Sequence, residues 1–197
     1  MKKIILSTFI ALISIGVQAQ ELSASDSKAI DNKVETFLSM IEAKDYTGLL
    51  DFMYPPIFEH TSKGSMFQIF NMLEQAGIEL KFQNLEVEAK TPIASENGTQ
   101  YALIMYNLDM ELPLDTENLK GIAPLMVPML RNNFGKQNVQ YNKADSYVNV
   151  KGKKFLLGVK DPKYFDWMFL IYDSSFKLAL EKTLPARVNQ RAKALSY

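Results

Sequence analysis

At Gly77 the apolar residues of this 197-residue chain stop recurring every three to four positions and begin to alternate. That change of period separates a helical first part from a strand-rich second part, which predicts an α+β fold rather than alternating βαβ units. Before the change, Ile30, Val34, Phe37, Leu38 and Ile41 make one apolar stripe over 25–44, with Ser25 or Ser27 available as a cap. Asp45 caps a second helix carrying Leu49, Leu50, Phe52 and Met53, and Pro55-Pro56 stops it, because proline lacks the donor that would continue it. A third helix fits 62–76, its stripe Met66, Ile69, Phe70 and Leu73, with Gly77 as its natural terminator.

After the change, Ile78, Leu80 and Phe82 alternate with polar residues, and the alternation resumes at Leu85, Val87 and Ala89 one residue out of phase. Side chains change faces at every residue of a strand, so the slip near Gln83-Asn84 predicts a bulge that bends it. Asn97-Gly98 is a hairpin signal, and a long strand over 100–112 follows. Segment 113–140 holds the uncharged run Ile122–Leu130 with Pro124 and Pro128, expected as a short, broken apolar helix inserted between strands. Lys151-Gly152-Lys153 reads as a turn between strands 146–150 and 154–159. Residues 164–172 read as a central strand covered on both faces, and 183–195 as a C-terminal helix with Pro185 in its first turn. No internal repeat or linker divides the chain, so one domain is expected over 20–197.

The N-terminus limits where such a chain works. Met1-Lys2-Lys3, the uncharged run Ile4–Val17 and the small-residue approach to Ala19 are the three parts of a secretory signal peptide, with cleavage expected between Ala19 and Gln20. The apolar run is shorter than the ~20 residues of a membrane span, and no later segment reaches that length, so an exported, periplasmic or secreted bacterial protein is expected. Lys+Arg and Asp+Glu are both 22, and only Arg131, Arg187 and Arg191 are arginines, so the chain has no general electrostatic footprint for nucleic acid and is poorly supplied with bidentate donors for phosphate. The absence of cysteine excludes a thiol nucleophile, a disulfide framework and a Cys-ligated metal, and His60 is the only histidine. No metal or other cofactor is expected. A glycine-rich phosphate loop, a Gly-x-Ser-x-Gly elbow and a His-Glu-x-x-His helix are all missing from the sequence.

Helices followed by a bulged antiparallel sheet, together with the phrase Lys44-Asp45-Tyr46-Thr47-Gly48-Leu49-Leu50 and then Tyr54-Pro55, resemble the nuclear transport factor two-like (cystatin-like) superfamily over residues 25–172. The resemblance implies helices packed into a strongly curved, cone-shaped sheet. It also spans isomerases, dehydratases, epoxide hydrolases, ligand binders and interaction modules, so it selects no activity.

Strand 100–112 bears on catalysis. Its helix-facing set, Ala102, Ile104, Tyr106, Leu108, Met110 and Leu112, has no carboxylate to be tuned by burial. Its other face presents Tyr101, Leu103 and Met105 as an apolar patch for a homodimer, unless the inserted segment or the C-terminal helix covers it. The candidate catalytic groups are His60, Tyr106 and Asp166. His60 is either a general base or a solvated loop residue, and Asp166 is either a buried acid or a wet-end carboxylate paired with Lys163 or Lys160. Tyr54, Tyr106, Trp167 and Met126 are the candidate lining of a ligand cavity, with plain core as the alternative. Lys143, Lys151, Lys153, Lys154, Lys160 and Lys163 read as one lysine-rich hairpin region, either binding an anionic polymer or an acidic partner or guarding an exposed strand against aggregation. The expected function is a non-catalytic exported protein binding a small apolar ligand or a protein partner. The alternatives are a small hydrolase, isomerase or dehydratase acting in the cone, and a cell-envelope interaction module.

Overall fold

The computed structural model describes residues 21–64, 75, 77, 81–115 and 117–196. The signal-peptide segment with Ala19 and Gln20, and most of the third expected helix, lie outside the described residues.

Helix α1 spans Ala24–Glu42 and starts where Ser23 Oγ accepts the Asp26 N–H. Its stripe of Ile30, Val34, Phe37 and Leu38 is buried. Lys44, at φ +57, reverses the chain, and Asp45 Oδ1 then accepts the Gly48 N–H at 2.9 Å to cap α2, Tyr46–Asp51. A 3₁₀ turn at Pro55–Glu59 ends this part.

Five strands make one antiparallel sheet among the described residues: β1 (Lys81–Glu96), β2 (Thr99–Pro113), β3 (Val139–Asn142), β4 (Tyr147–Lys160) and β5 (Trp167–Ile171), in the order β1-β2-β4-β3. β1 and β2 turn at Asn97 and Gly98, both at positive φ, as an Asn-Gly hairpin requires. The register slips between Phe82 and Asn84, where the break in alternation predicts it, and again at Val87/Ala89 and Ile93/Glu96. β3 and β5 share one edge of β4: β3 pairs with residues 147–150 and β5 with 156–160. Between them the edge of β4 has no partner strand among the described residues.

Both faces of the sheet are covered. On one, α1 lies over Ala102, Ile104, Tyr106, Leu156, Trp167 and Phe169. At the other end of the same face, α3 (Glu117–Phe134) covers Met110, Leu112, Val148 and Val150. On the opposite face, α4 (Lys177–Thr183), α5 (Ala186–Leu195) and the 3₁₀ turn at Pro55–Glu59 pack against Tyr101, Leu103, Leu157, Val159 and Leu170.

Four expectations are corrected. Lys151-Gly152-Lys153 does not turn: β4 runs through it, and the Phe134 ring comes so near that a Cβ on Gly152 would lie 3.2 Å from it. The helix between β2 and β3 is not broken. Its prolines are four residues apart on the exposed side, so the lost hydrogen bonds face water while Leu119, Ala123, Met126, Val127 and Leu130 stay buried. Strand 164–172 shrinks to β5 and lies at the sheet edge rather than centrally. Its free side is closed by Phe52–Tyr54: the Phe169 N–H donates to the Phe52 carbonyl and the Tyr54 N–H to the Phe169 carbonyl, both at 2.9 Å. Finally, Pro185 caps α5 rather than sitting inside it, because Leu184 is extended ahead of the proline, and α4 is an additional helix.

Gly158 shows how tightly the first face is packed. A Cβ there would meet Ile104 Cδ1 at 3.1 Å and Trp167 Cε3 at 3.2 Å, two buried neighbours with little room to retreat. Gly158→Ala is expected to cost about 1–3 kcal/mol by overpacking, measured by urea denaturation. An unchanged midpoint would mean that the indole does not lie against this backbone.

Candidate functional site

The four residues expected to line one cavity are distributed over three separate apolar clusters. Tyr54 lies with the C-terminal helices, Met126 under α3, and Tyr106 and Trp167 under α1. Each is core. Tyr54 also donates its hydroxyl to Asp161 Oδ2 at 2.7 Å, and Trp167 donates its indole N–H to Asp26 Oδ1 at 3.1 Å.

The catalytic candidates do not converge either. His60 is exposed at the end of the 3₁₀ turn, Tyr106 is buried, and Asp166 is exposed. Tyr106 pairs with Lys154 and Trp167 with Lys160, six residues further along β4. At about 3.3 Å per residue this places the Asp166 end roughly 20 Å from Tyr106. Burial raises the Tyr106 pKa far above its ordinary value, with Asp173 adding to the effect, so its hydroxyl stays protonated. Asp166 is the wet-end carboxylate, but its partner is Lys33 at 2.8 Å rather than Lys163 or Lys160. Burial opposes its charge, and the Lys33 ammonium and Trp167 N–H outweigh that and lower its pKa. Lys160 instead donates to Asp26 at 2.6 Å, tying the start of α1 to the end of β4 and lowering the Asp26 pKa. Among the described residues no group of histidine and carboxylate side chains could hold a metal ion.

The apolar patch expected on the outside of the sheet is covered. Tyr101 and Leu103 are buried against Val188 and Ala192 of α5, and only Met105 of the three stays partly open.

What the structure assembles instead is a cleft of about 420 Å³ beside the unpaired edge of β4, between the end of α3 and helices α4 and α5. Phe155, Tyr172 and Leu180 supply its apolar surface. Four lysines line it (Lys153, Lys154, Lys177 and Lys193) against two carboxylates, Asp173 and Glu181. The recess widens across β4 towards Met105, Phe134 and Leu195. The side of the cleft is built by pairing. The Tyr172 N–H donates to the Phe155 carbonyl at 3.0 Å, and the Tyr172 hydroxyl donates to the Asn189 side chain on α5 at 2.9 Å.

Lys154 is the central cation. It is 21% exposed, lies 4.3 Å from the centre of the Phe134 ring and donates to Asp173 Oδ2 at 2.9 Å. Lys177 is held only loosely by Glu181 at 3.8 Å, Lys153 pairs with Glu88 at 2.6 Å, and Lys193 has no ion pair among the described residues. Asp173 caps the short turn Ser174–Phe176. Burial opposes its charge, but the Ser175 N–H, the Lys154 ammonium and the Ser175 hydroxyl outweigh burial and hold its pKa at about 2.

A depressed carboxylate contributes stability that is present above its unfolded value and lost as the pH falls through the folded one. Asp173 therefore stabilises the fold by roughly 2 kcal/mol above pH ~4, an effect that disappears between about pH 4 and 2. In Asp173→Asn, urea stability is expected to fall at pH 7 and to change less than the parent's across that acid window. Parallel pH profiles for the two proteins would contradict the pairing.

The lysines expected to crowd one hairpin are thus dispersed along β4 and its flanks, and the members that form the cleft meet Lys177 and Lys193 from the C-terminal helices. No family model, curated protein or solved structure matches this chain. Among the described residues no helix is long and apolar enough to cross a membrane.

Proposed function

We propose that this is a non-catalytic binding protein whose ligand is a small amphipathic anion, a carboxylate with an apolar chain, held in the cleft beside β4. The observation that carries this reading is the excess of lysine over carboxylate around an apolar surface, with Lys193 in no ion pair among the described residues. The volume of about 420 Å³ falls within the roughly 300–1,000 Å³ of small-molecule sites. In such a site the carboxylate meets Lys193 and Lys177 at the rim, and the chain lies over Phe155, Tyr172 and Leu180. The wider recess towards Met105 and Leu195 gives room for a longer tail.

The dispersal of His60, Tyr106 and Asp166 supports binding rather than turnover. The bulged β1–β2 pair crossed by α1, with the Asp45 cap at the helix junction, supports the likeness to the nuclear transport factor two-like superfamily and its curved sheet. The tripartite N-terminus supports export.

Calorimetric titration with decanoate and with decanol tests the reading. Decanoate is expected to bind with a micromolar Kd and decanol at least tenfold more weakly, about 1.4 kcal/mol or more. Equal affinities would remove the anion from the account, and no heat from either would remove the site.

A further inference from the structure

Phe165 lies on a different surface from the cleft and has a geometry that nothing in the proposed binding site explains. Its φ is +63°, the left-handed region, which is an outlier for a bulky side chain, and it is 91% exposed. Among the described residues the other non-glycine positions at positive φ are Lys44, Asn97 and Ser146, none of them aromatic.

The loop around it is fixed on both sides. Asp161 accepts the Lys163 N–H at 2.9 Å and the Tyr54 hydroxyl at 2.7 Å, and the rings of Tyr54 and Tyr164 meet edge to face with centres 5.6 Å apart. On the other side, Asp166 accepts the Trp167 N–H at 2.8 Å and pairs with Lys33 at 2.8 Å. A glycine or asparagine would make this turn with less strain and no exposed ring, so the phenylalanine is unfavourable for the isolated chain on both counts.

The ring forms one wall of a recess of about 340 Å³, lined otherwise by Gly98, Gln100, Lys160, Asp161 and Pro162. One copy of the chain therefore carries both a projecting ring and an adjacent hollow, the arrangement in which a two-fold axis places each ring in the other copy's hollow. Charge fits as well. Lys163 has no ion pair among the described residues, whereas Lys160 and Lys33 are neutralised by Asp26 and Asp166. Because a two-fold pair places this surface against itself, it brings one copy's Lys163 and the other's Asp161 into the same interface as opposite charges. The near balance of charge around the ring favours this occupant over an anionic lipid surface.

We infer that Phe165 and the Gly98–Pro162 hollow form a self-association surface of this chain. Two rings at about 150–250 Å² each, with their rims, stay below the roughly 1,200 Å² of a tight complex, so the dimer is weak.

Sedimentation velocity of the protein from about 10 µM to 1 mM, with Phe165→Gly and Phe165→Asn beside it, tests the inference. The parent is expected to dimerise with a Kd of about 0.1–1 mM. Both variants are expected to stay monomeric while their Tm rises by about 2–4 °C as the strained ring is removed. A parent that is monomeric throughout, variants that dimerise as the parent does, or variants whose Tm falls would each overturn it. Phe165-dependent binding to phosphatidylglycerol vesicles by a monomeric parent would overturn it in favour of a lipid surface. The cleft titration is independent of all these outcomes.

Discussion

Trp167→Ala is expected to lower stability by about 3–5 kcal/mol, the largest effect of any single substitution considered. The indole is 1% exposed, lies against the backbone of Gly158 and packs with the residues under α1. Its N–H also donates to Asp26, which holds Lys160 and the Ser23 hydroxyl at the start of α1. Truncation therefore opens a cavity and loosens the joint between the first helix and the last two strands. Trp167→Phe keeps most of the apolar volume and loses only the indole donor, so about 1–2 kcal/mol is expected. Urea denaturation followed by far-UV circular dichroism measures both. Because Trp167 belongs to the core, folded Trp167→Phe should bind decanoate as the parent does. A large loss of affinity in that variant would return the tryptophan to a ligand-lining role.

The second large effect concerns the cleft. Lys154→Ala, combined with Lys193→Ala, is expected to weaken decanoate binding by at least 30-fold, about 2 kcal/mol, because the central cation and a rim cation are both lost. Lys193→Ala alone, on the exposed side of α5, should weaken binding several-fold and leave Tm within a degree or two. Lys154→Ala alone also removes the partner of Asp173, so part of its effect is on the fold. Raising the salt to about 1 M shortens the screening length to ~3 Å and is expected to weaken decanoate binding more than decanol binding. Unchanged affinity in the double variant would place the ligand elsewhere.

Much of the fold was legible because the apolar period is a direct consequence of burial. Ile30, Val34, Phe37 and Leu38 are the buried face of α1, the slip after Phe82 is a bulge, and Asn97-Gly98 closes a hairpin. Gly152 misled because glycine between lysines is also turn chemistry, whereas its pairing with Leu108 keeps it extended and a Cβ there would crowd Phe134, eighteen positions earlier. That error also hid the site. Read as one strand, Val148, Val150, Gly152, Lys154, Leu156 and Gly158 share a face, and a lysine in phase with buried valines and leucine is the signal for Lys154. The rest of the cleft had no local signal. Lys177, Lys193 and Asn189 meet Lys154 only because α4 and α5 fold back over the sheet. Tyr101 and Leu103 failed as an exposed patch for the same reason: alternation tells which side chains share a face and is silent about what covers it.

The most direct test of the binding account is the amide proton–nitrogen spectrum of the isotope-labelled protein during titration with decanoate. Saturable shifts are expected, confined to Lys153–Phe155, Tyr172–Lys177 and Asn189–Lys193, with the amides around Trp167 and Tyr54 still. Shifts centred on the residues beneath α1, or none at saturating ligand, would contradict it.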